Sequence, residues 1–286
     1  MASFGMNLGP VWIPEIKNGL CSMDKIARHN AQAWDALVEQ NSGFASKISA
    51  RCLNDPDPYI NIYGWLPHGV RGKKVLCLAA GGGKHGPLYA AAGASVTVVD
   101  ISQRMLEKDL EMSRRHGFQI RCVQSCMTRL EDLEPSAYDL VMQPVSSCYV
   151  ENLEGLYRSV AGVLKPDGLY IVQHKQPISL QCSPFPVHGN YRVELAASVR
   201  GALPPVEGSE HRESGTLEYL HSLESLIGGL CTHGFCIEDL REPDHSRSDA
   251  RPGSFAHRCQ MIQPYLAIKA RRLPDSGVDF STIIAP

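Results

Sequence analysis

A doubly wound α/β sheet is the fold this sequence predicts, and three observations predict it. Between residues 71 and 174, short apolar runs alternate with helix-spaced segments, the rhythm of βαβ units around a parallel sheet. The purest runs, VLCLA and VTVV, are apolar at every position, as strands covered by helices on both faces must be. The first of them leads into Gly81, Gly82 and Gly83, where a chain can turn sharply off a strand end.

The elements follow in order. Residues 1–70 read as an N-terminal arm and cap helix. The first twenty mix Gly, Pro and aromatics without periodicity. From Ser22 onward Ile26, Ala27, Trp34, Leu37 and Val38 recur at helical spacing. NDPDPYINIYGWLPHG is a connection.

Residues 71–174 form the core. KKVLCLAA is a strand, PLYAAAG a small-residue helix, and SVTVVD a strand ending in an acid. SQRMLEKDLEMSRRHG is helical and stops at Gly117. QIRCVQ and YDLVMQPV are strands, NLEGLYRSVAGVL is a helix closed by KPDG, and GLYIVQH is the fifth strand. Residues 175–215, rich in Pro, Gly and Ser with one candidate strand at YRVELA, are too long for an ordinary connection. They follow a strand's carboxyl end, where ligands bind in open α/β sheets, so a substrate lid is expected. In 216–273 the alternation resumes with SLESLIGGLCTHG, FCIEDLREP and YLAIKARR, and 274–286 is a polar tail.

Composition narrows the partners. The chain has 286 residues, 43% hydrophobic and 20% charged, with a net charge of −2 and no Lys/Arg run, so no nucleic-acid partner is expected. No apolar stretch approaches the ~18–20 residues of a membrane span. The start lacks the charged head and apolar core of a secretory leader. Ten cysteines show neither C-x-x-C nor Cys/His zinc spacing, which points to a reduced, cytoplasmic protein without a metal. Oligomeric state is not legible.

Gly81 to Gly86 fit G-x-G-x-x-G, and Asp100 closes the next strand, placed to accept hydrogen bonds from a ribose diol. These features suit a nicotinamide dinucleotide and S-adenosylmethionine alike. Downstream, DISQRML carries an acid, a Ser and a Met-Leu pair; CVQSCMTRL follows the third strand; KPDGLYIV precedes the fifth; and LHSLESLIGGLCTHGFCIEDLREP closes the chain. With VLCLAAGGG these motifs make residues 72–175 and 216–272 resemble the class I S-adenosylmethionine-dependent methyltransferases, in particular the broad small-molecule (type 11-like) group.

The resemblance implies a Rossmann-like, seven-stranded, mostly parallel sheet with an antiparallel last strand, S-adenosylmethionine as cofactor, and a small-molecule methyl acceptor. It implies that Ala79, Gly81 and Gly83 approach the methionine part by main chain. Asp100 would take the ribose hydroxyls, with Ile101 and Met105 on the adenine. Cys126 and Met127 would frame the base edge, Gln143 would close the amino-acid end, and Trp34 and His29 on the helix before the first core strand would cap the pocket. Two departures stand out: Cys77 where the family usually carries an acid that organises the loop amides, and Ala79 where it carries Gly. Cys126 likewise replaces a common Asp.

Methyl transfer needs alignment behind an activated carbon, and a base only for a nucleophile that still holds its proton. His174 past the fifth strand, His85 in the glycine loop and Tyr149 beyond the fourth strand are the candidate catalytic residues. The alternatives are an NAD(P)-dependent oxidoreductase, or a methyltransferase acting on RNA or protein.

Overall fold

The computed structural model describes residues 16–18, 24–40 and 48–274; the rest of the expected arm, and the tail from 275, lie outside the described residues. Strands β1 (Ile16–Asn18), β2 (Lys74–Leu78), β3 (Ser95–Asp100), β4 (Ile120–Gln124), β5 (Tyr138–Gln143), β6 (Leu164–Lys175), β7 (Phe235–Arg241) and β8 (Tyr265–Arg272) form one sheet, ordered β1-β4-β3-β2-β5-β6-β8-β7. β1 to β6 pair in parallel, and β8 runs antiparallel between β6 and β7. Seven strands thus make the expected Rossmann-like sheet. An eighth, β1, falls inside the stretch read as an arm and adds a parallel edge strand beside β4.

The order reverses at β2, which lies between β3 and β5. Chain crossovers leave that point in opposite directions and open a crevice at the strands' carboxyl ends. Alternation along β2 splits the core between the two faces. Leu76 and Leu78 join Leu156, Tyr157, Tyr170 and Phe235 on one side. Val75 and Cys77 join Val98, Leu106, Leu110 and Ile120 on the other.

Helices cover both faces. α1 (Lys25–Glu39) begins at Asp24, whose carboxylate accepts from the Ala27 amide at 2.8 Å. α2 (Ala50–Asn54) and the unanticipated α3 (Asp57–Ile60) occupy the connection before β2. α4 (His85–Ala91) follows the glycines. α5 (Gln103–His116) is capped by Ser102 and ends at Gly117, φ +70°, the left-handed stop its sequence forecast. α6 (Leu153–Val163) opens with the Asn152 side chain accepting from Gly155 N. The KPDG turn before the fifth strand is instead an irregularity inside β6, with Asp167 at φ +62° and a register shift opposite Tyr138 and Leu140.

Within 175–215 the chain forms α7 (Pro177–Gln181) and isolated bridges; the candidate strand at YRVELA reduces to one bridge, Cys182 to Val193. A π-helical turn and α8 (Gly229–Thr232) precede β7, and α9 (Phe255–Arg258) precedes β8. Lys175, 3% exposed at the end of β6, ties the loop ahead of that π turn to the sheet. Its Nζ donates to Glu213 at 2.7 Å, Glu218 at 3.0 Å and the His211 carbonyl at 2.7 Å, while Arg212 pairs with Glu218 at 2.8 Å. Among the described residues no helix is long and apolar enough to cross a membrane, and no His/Cys/Asp/Glu group is arranged for a metal.

Candidate functional site

The site starts where β2 runs out. Leu78 is the last residue of the strand; Ala79 then turns at φ +47°, Gly82 at +109° and Gly83 at +74°. A β-carbon on Gly81 would lie 2.7 Å from Met105 Cβ and 2.9 Å from an Asp100 oxygen, so only glycine fits. Three glycine amides of the loop are engaged from behind. Gly81 N donates to Asp100 Oδ2 at 2.9 Å, and Gly82 N and Gly83 N both donate to Asp109 Oδ2, at 2.9 and 3.1 Å.

Asp100 ends β3 and also accepts from Ser102 N at 2.9 Å through Oδ1. It is 8% exposed, and burial pushes its pKa up to about 6 against the pull of the Ser102, Gly81 and Ile101 amides. Each oxygen keeps lone-pair capacity toward the cavity. α1 reaches the same corner: Ser102 Oγ donates to Asp35 at 2.6 Å, and Arg104 N to the same oxygen at 3.1 Å.

In front of the loop lies a cavity of about 1020 Å³ at the carboxyl ends of the central strands. Ala79, Gly81, Asp100, Ile101, Met105 and Met127 line one part, with Ser125 and Ser146 beside them. Trp34, Tyr59, Tyr63, Tyr149, Tyr265, Glu213 and His245 line the rest. Tyr149 is held on two sides: its hydroxyl donates to Glu213 at 2.5 Å, and its ring meets Trp34 edge-on, centroids 5.5 Å apart. Lys175 Nζ stands 5.8 Å from the same ring. Burial first, then the charge of Glu213, drives the Tyr149 phenol well above its usual range. His85 faces the cavity as a neutral imidazole, lowered to about 4 by burial and by Lys84.

Four expected residues stand elsewhere. His174 is fully buried with its Nδ1 2.6 Å from Ser147 Oγ and its Nε2 without a partner, and burial lowers it to about 3. It is not among the cavity's lining residues; its neighbour Gln173 is, because successive strand residues face opposite sides. Gly83 is buried behind the loop, its amide committed to Asp109. Cys126 packs with Ala27 and Ile101, its sulfur 3.2 Å from Thr128 Oγ1, and leaves the cavity to Ser125 and Met127. Gln143 lies behind the wall, donating to Ser146 Oγ at 2.8 Å and accepting from the Tyr170 hydroxyl.

Of the two cap residues, Trp34 reaches the cavity, whereas His29 Nε2 bonds the Gly215 carbonyl at 2.9 Å. From the expected lid only Glu213, among the described residues, lines the cavity. Tyr59, Tyr63, Glu213, His245 and Tyr265 were not foreseen. They come from stretches without periodicity or from a strand end, and only the clustering of aromatics in PYINIYGW hinted at a pocket wall.

The donor set fits S-adenosylmethionine. A buried carboxylate with spare acceptor capacity suits a ribose diol, thioether and aliphatic faces suit a planar base, and a loop without side chains suits an amino-acid end.

The comparisons agree. Residues 76–172 match the family model described as "Methyltransferase domain". The uncharacterized methyltransferase YbaJ of Bacillus subtilis (strain 168) is 29% identical over 239 residues, spanning 77% of this chain and 91% of that protein. A ubiquinone biosynthesis O-methyltransferase of Idiomarina loihiensis is 31% identical over 104 residues, 35% of this chain and 41% of its own length. An S-adenosylmethionine-dependent methyltransferase structure from Mesorhizobium loti superposes with a TM-score of 0.60 at 22% identity, covering 77% of this chain and 100% of that one.

Proposed function

We propose that this chain, whose residues 76–172 match the methyltransferase domain model and which is 29% identical to an uncharacterized methyltransferase, is a class I S-adenosylmethionine-dependent methyltransferase that methylates a nitrogen or oxygen atom of a small molecule held in the cavity. These matches favour that reading over the oxidoreductase alternative. The observation that carries the reading is the single cavity of about 1020 Å³ that joins the glycine loop to an aromatic wall. Ligand pockets run to roughly 300–1,000 Å³, so this one has room for a cofactor and a second molecule. A concave site of this kind suits a metabolite better than a duplex or a folded protein, and the net charge of −2 gives the chain no overall attraction for a phosphate backbone.

The cofactor supplies a sulfonium-activated methyl group for in-line displacement. Asp100 would hold the ribose hydroxyls; Ile101, Met105 and Met127 would face the base; the backbone of Ala79 to Gly81 would meet the amino-acid end. Tyr149, fixed by Glu213 and Trp34, orients the acceptor and excludes water from it. Neither titratable candidate at the cavity is a strong base, since His85 sits near 4 and the Tyr149 phenol is hard to ionise. The site therefore favours acceptor atoms that are nucleophilic before losing a proton, such as a neutral amine or an already ionised oxygen.

The test is transfer of radiolabelled methyl from S-adenosylmethionine into fractionated cell extract. Label should enter the small-molecule fraction; label confined to RNA or protein would overturn the proposal.

A further inference from the structure

Asp109 is a buried acid that the proposed chemistry leaves unexplained. It is fully buried on α5, and both of its loop contacts, from Gly82 N and Gly83 N, converge on Oδ2. Its other oxygen, Oδ1, has no partner. The surroundings are apolar: Cys77 on β2 and Cys122 on β4 lie within its electrostatic reach, and both thiols are driven up chiefly by burial and secondly by this carboxyl. Gly86 leaves the space it needs, since a β-carbon there would sit 2.9 Å from Oδ1 and 2.7 Å from Val98.

Burying a carboxyl with one oxygen unpaired costs free energy, and an apolar side chain of similar size would avoid that cost but would leave the Gly83 amide without its acceptor. What the carboxyl does achieve is geometric. Consecutive amides at positive φ, +109° and +74°, form a concave nest that closes on one acceptor. With that acceptor behind the loop, the backbone of Ala79 to Gly81 is turned outward to line the cavity.

We propose that Asp109 is a positioning residue for the cofactor site: one of its oxygens gathers the Gly82 and Gly83 amides and thereby presents the Ala79–Gly81 backbone to the cofactor's amino-acid end. This inference rests on the methyltransferase reading and adds to it a residue outside the strand-loop motif. β2 offers only Cys77 at this place, and α5 reaches across to supply the acceptor that the strand lacks. Burial raises the Asp109 pKa to about 8, with the amides of Gly83 and Gly82 opposing and Asp100 adding to the rise. A protonated acid still accepts both amides through Oδ2, so an amide oxygen can replace it.

Calorimetry with S-adenosylhomocysteine and with adenosine tests the role without any acceptor. Asp109→Leu should lower S-adenosylhomocysteine affinity by about tenfold or more and leave adenosine affinity within about twofold, the adenosine arm showing that the variant is folded. Asp109→Asn, which keeps one oxygen for the amides, should bind S-adenosylhomocysteine within about threefold of wild type. A leucine variant that binds S-adenosylhomocysteine normally, or loses both ligands equally, overturns the proposal. Should that variant not fold, the asparagine variant decides: retained affinity supports the role, and a loss above about tenfold overturns it. A wild-type protein that binds neither ligand overturns the cofactor reading itself, and this inference with it.

Discussion

Ala79 holds a left-handed backbone, φ +47°, that a side chain with a β-carbon adopts at a cost. Replacing it by glycine should raise stability by about 1 kcal/mol, read as a higher denaturant midpoint at unchanged slope. Asp100 makes the opposite case, a residue whose removal tells on the ligand. Asp100→Ala should weaken S-adenosylmethionine binding by ~1.5–3 kcal/mol, and unchanged affinity would remove it from the ribose site. His174 shows where a sequence stops speaking: VQHKQP places it at the right strand end, but the face it takes depends on register, and a one-residue offset hands the cavity to Gln173. His174→Ala should therefore lower the thermal midpoint and spare cofactor affinity, because its ring fills the core beside Ser147.

At the scale of elements, α1 is the piece that joins cofactor side to acceptor side. Asn30, fully buried, donates to the Tyr149 and Leu217 carbonyls at 3.1 Å each and accepts from Leu217 N at 2.7 Å. Asn30→Ala strands those backbone groups and should cost ~3 kcal/mol of stability, with hydrogen exchange rising along α1 before the sheet. The strands and major helices were legible because their periodicity is strong and the sheet's two-sided burial leaves few alternatives. The cavity's aromatic wall was not: Tyr59 and Tyr63 sit in a loop, Glu213 lies some forty residues beyond β6, and only the Lys175 ion cluster brings it to Tyr149. Asp109 was hidden too, since in SQRMLEKDLEM it reads as one more helix acid until the packing shows that it faces inward.

For the whole molecule, buried titratable groups set opposing limits on pH. His174 and His85, lowered to about 3 and about 4, bind fewer protons folded than unfolded. Their contribution is complete above the unfolded value of roughly 6.5 and is lost as the medium turns acid. Asp109, raised to about 8, holds its proton more tightly when folded. Its contribution is complete below the unfolded value of roughly 3.9 and is lost as pH rises through about 8. Urea midpoints measured from about pH 6 to about pH 9 should decline in the wild type and decline less in Asp109→Asn.

The three residues of β1 have a wider consequence. They occupy the outer edge of β4, pairing Ile16 with Cys122 and Asn18 with Gln124. Stripped of that cover by trimming or proteolysis, β4 would present a row of unsatisfied backbone donors and acceptors to any passing chain. A shortened protein should then keep its cofactor site yet associate edge to edge, turning a catalyst into the seed of an aggregate at high concentration.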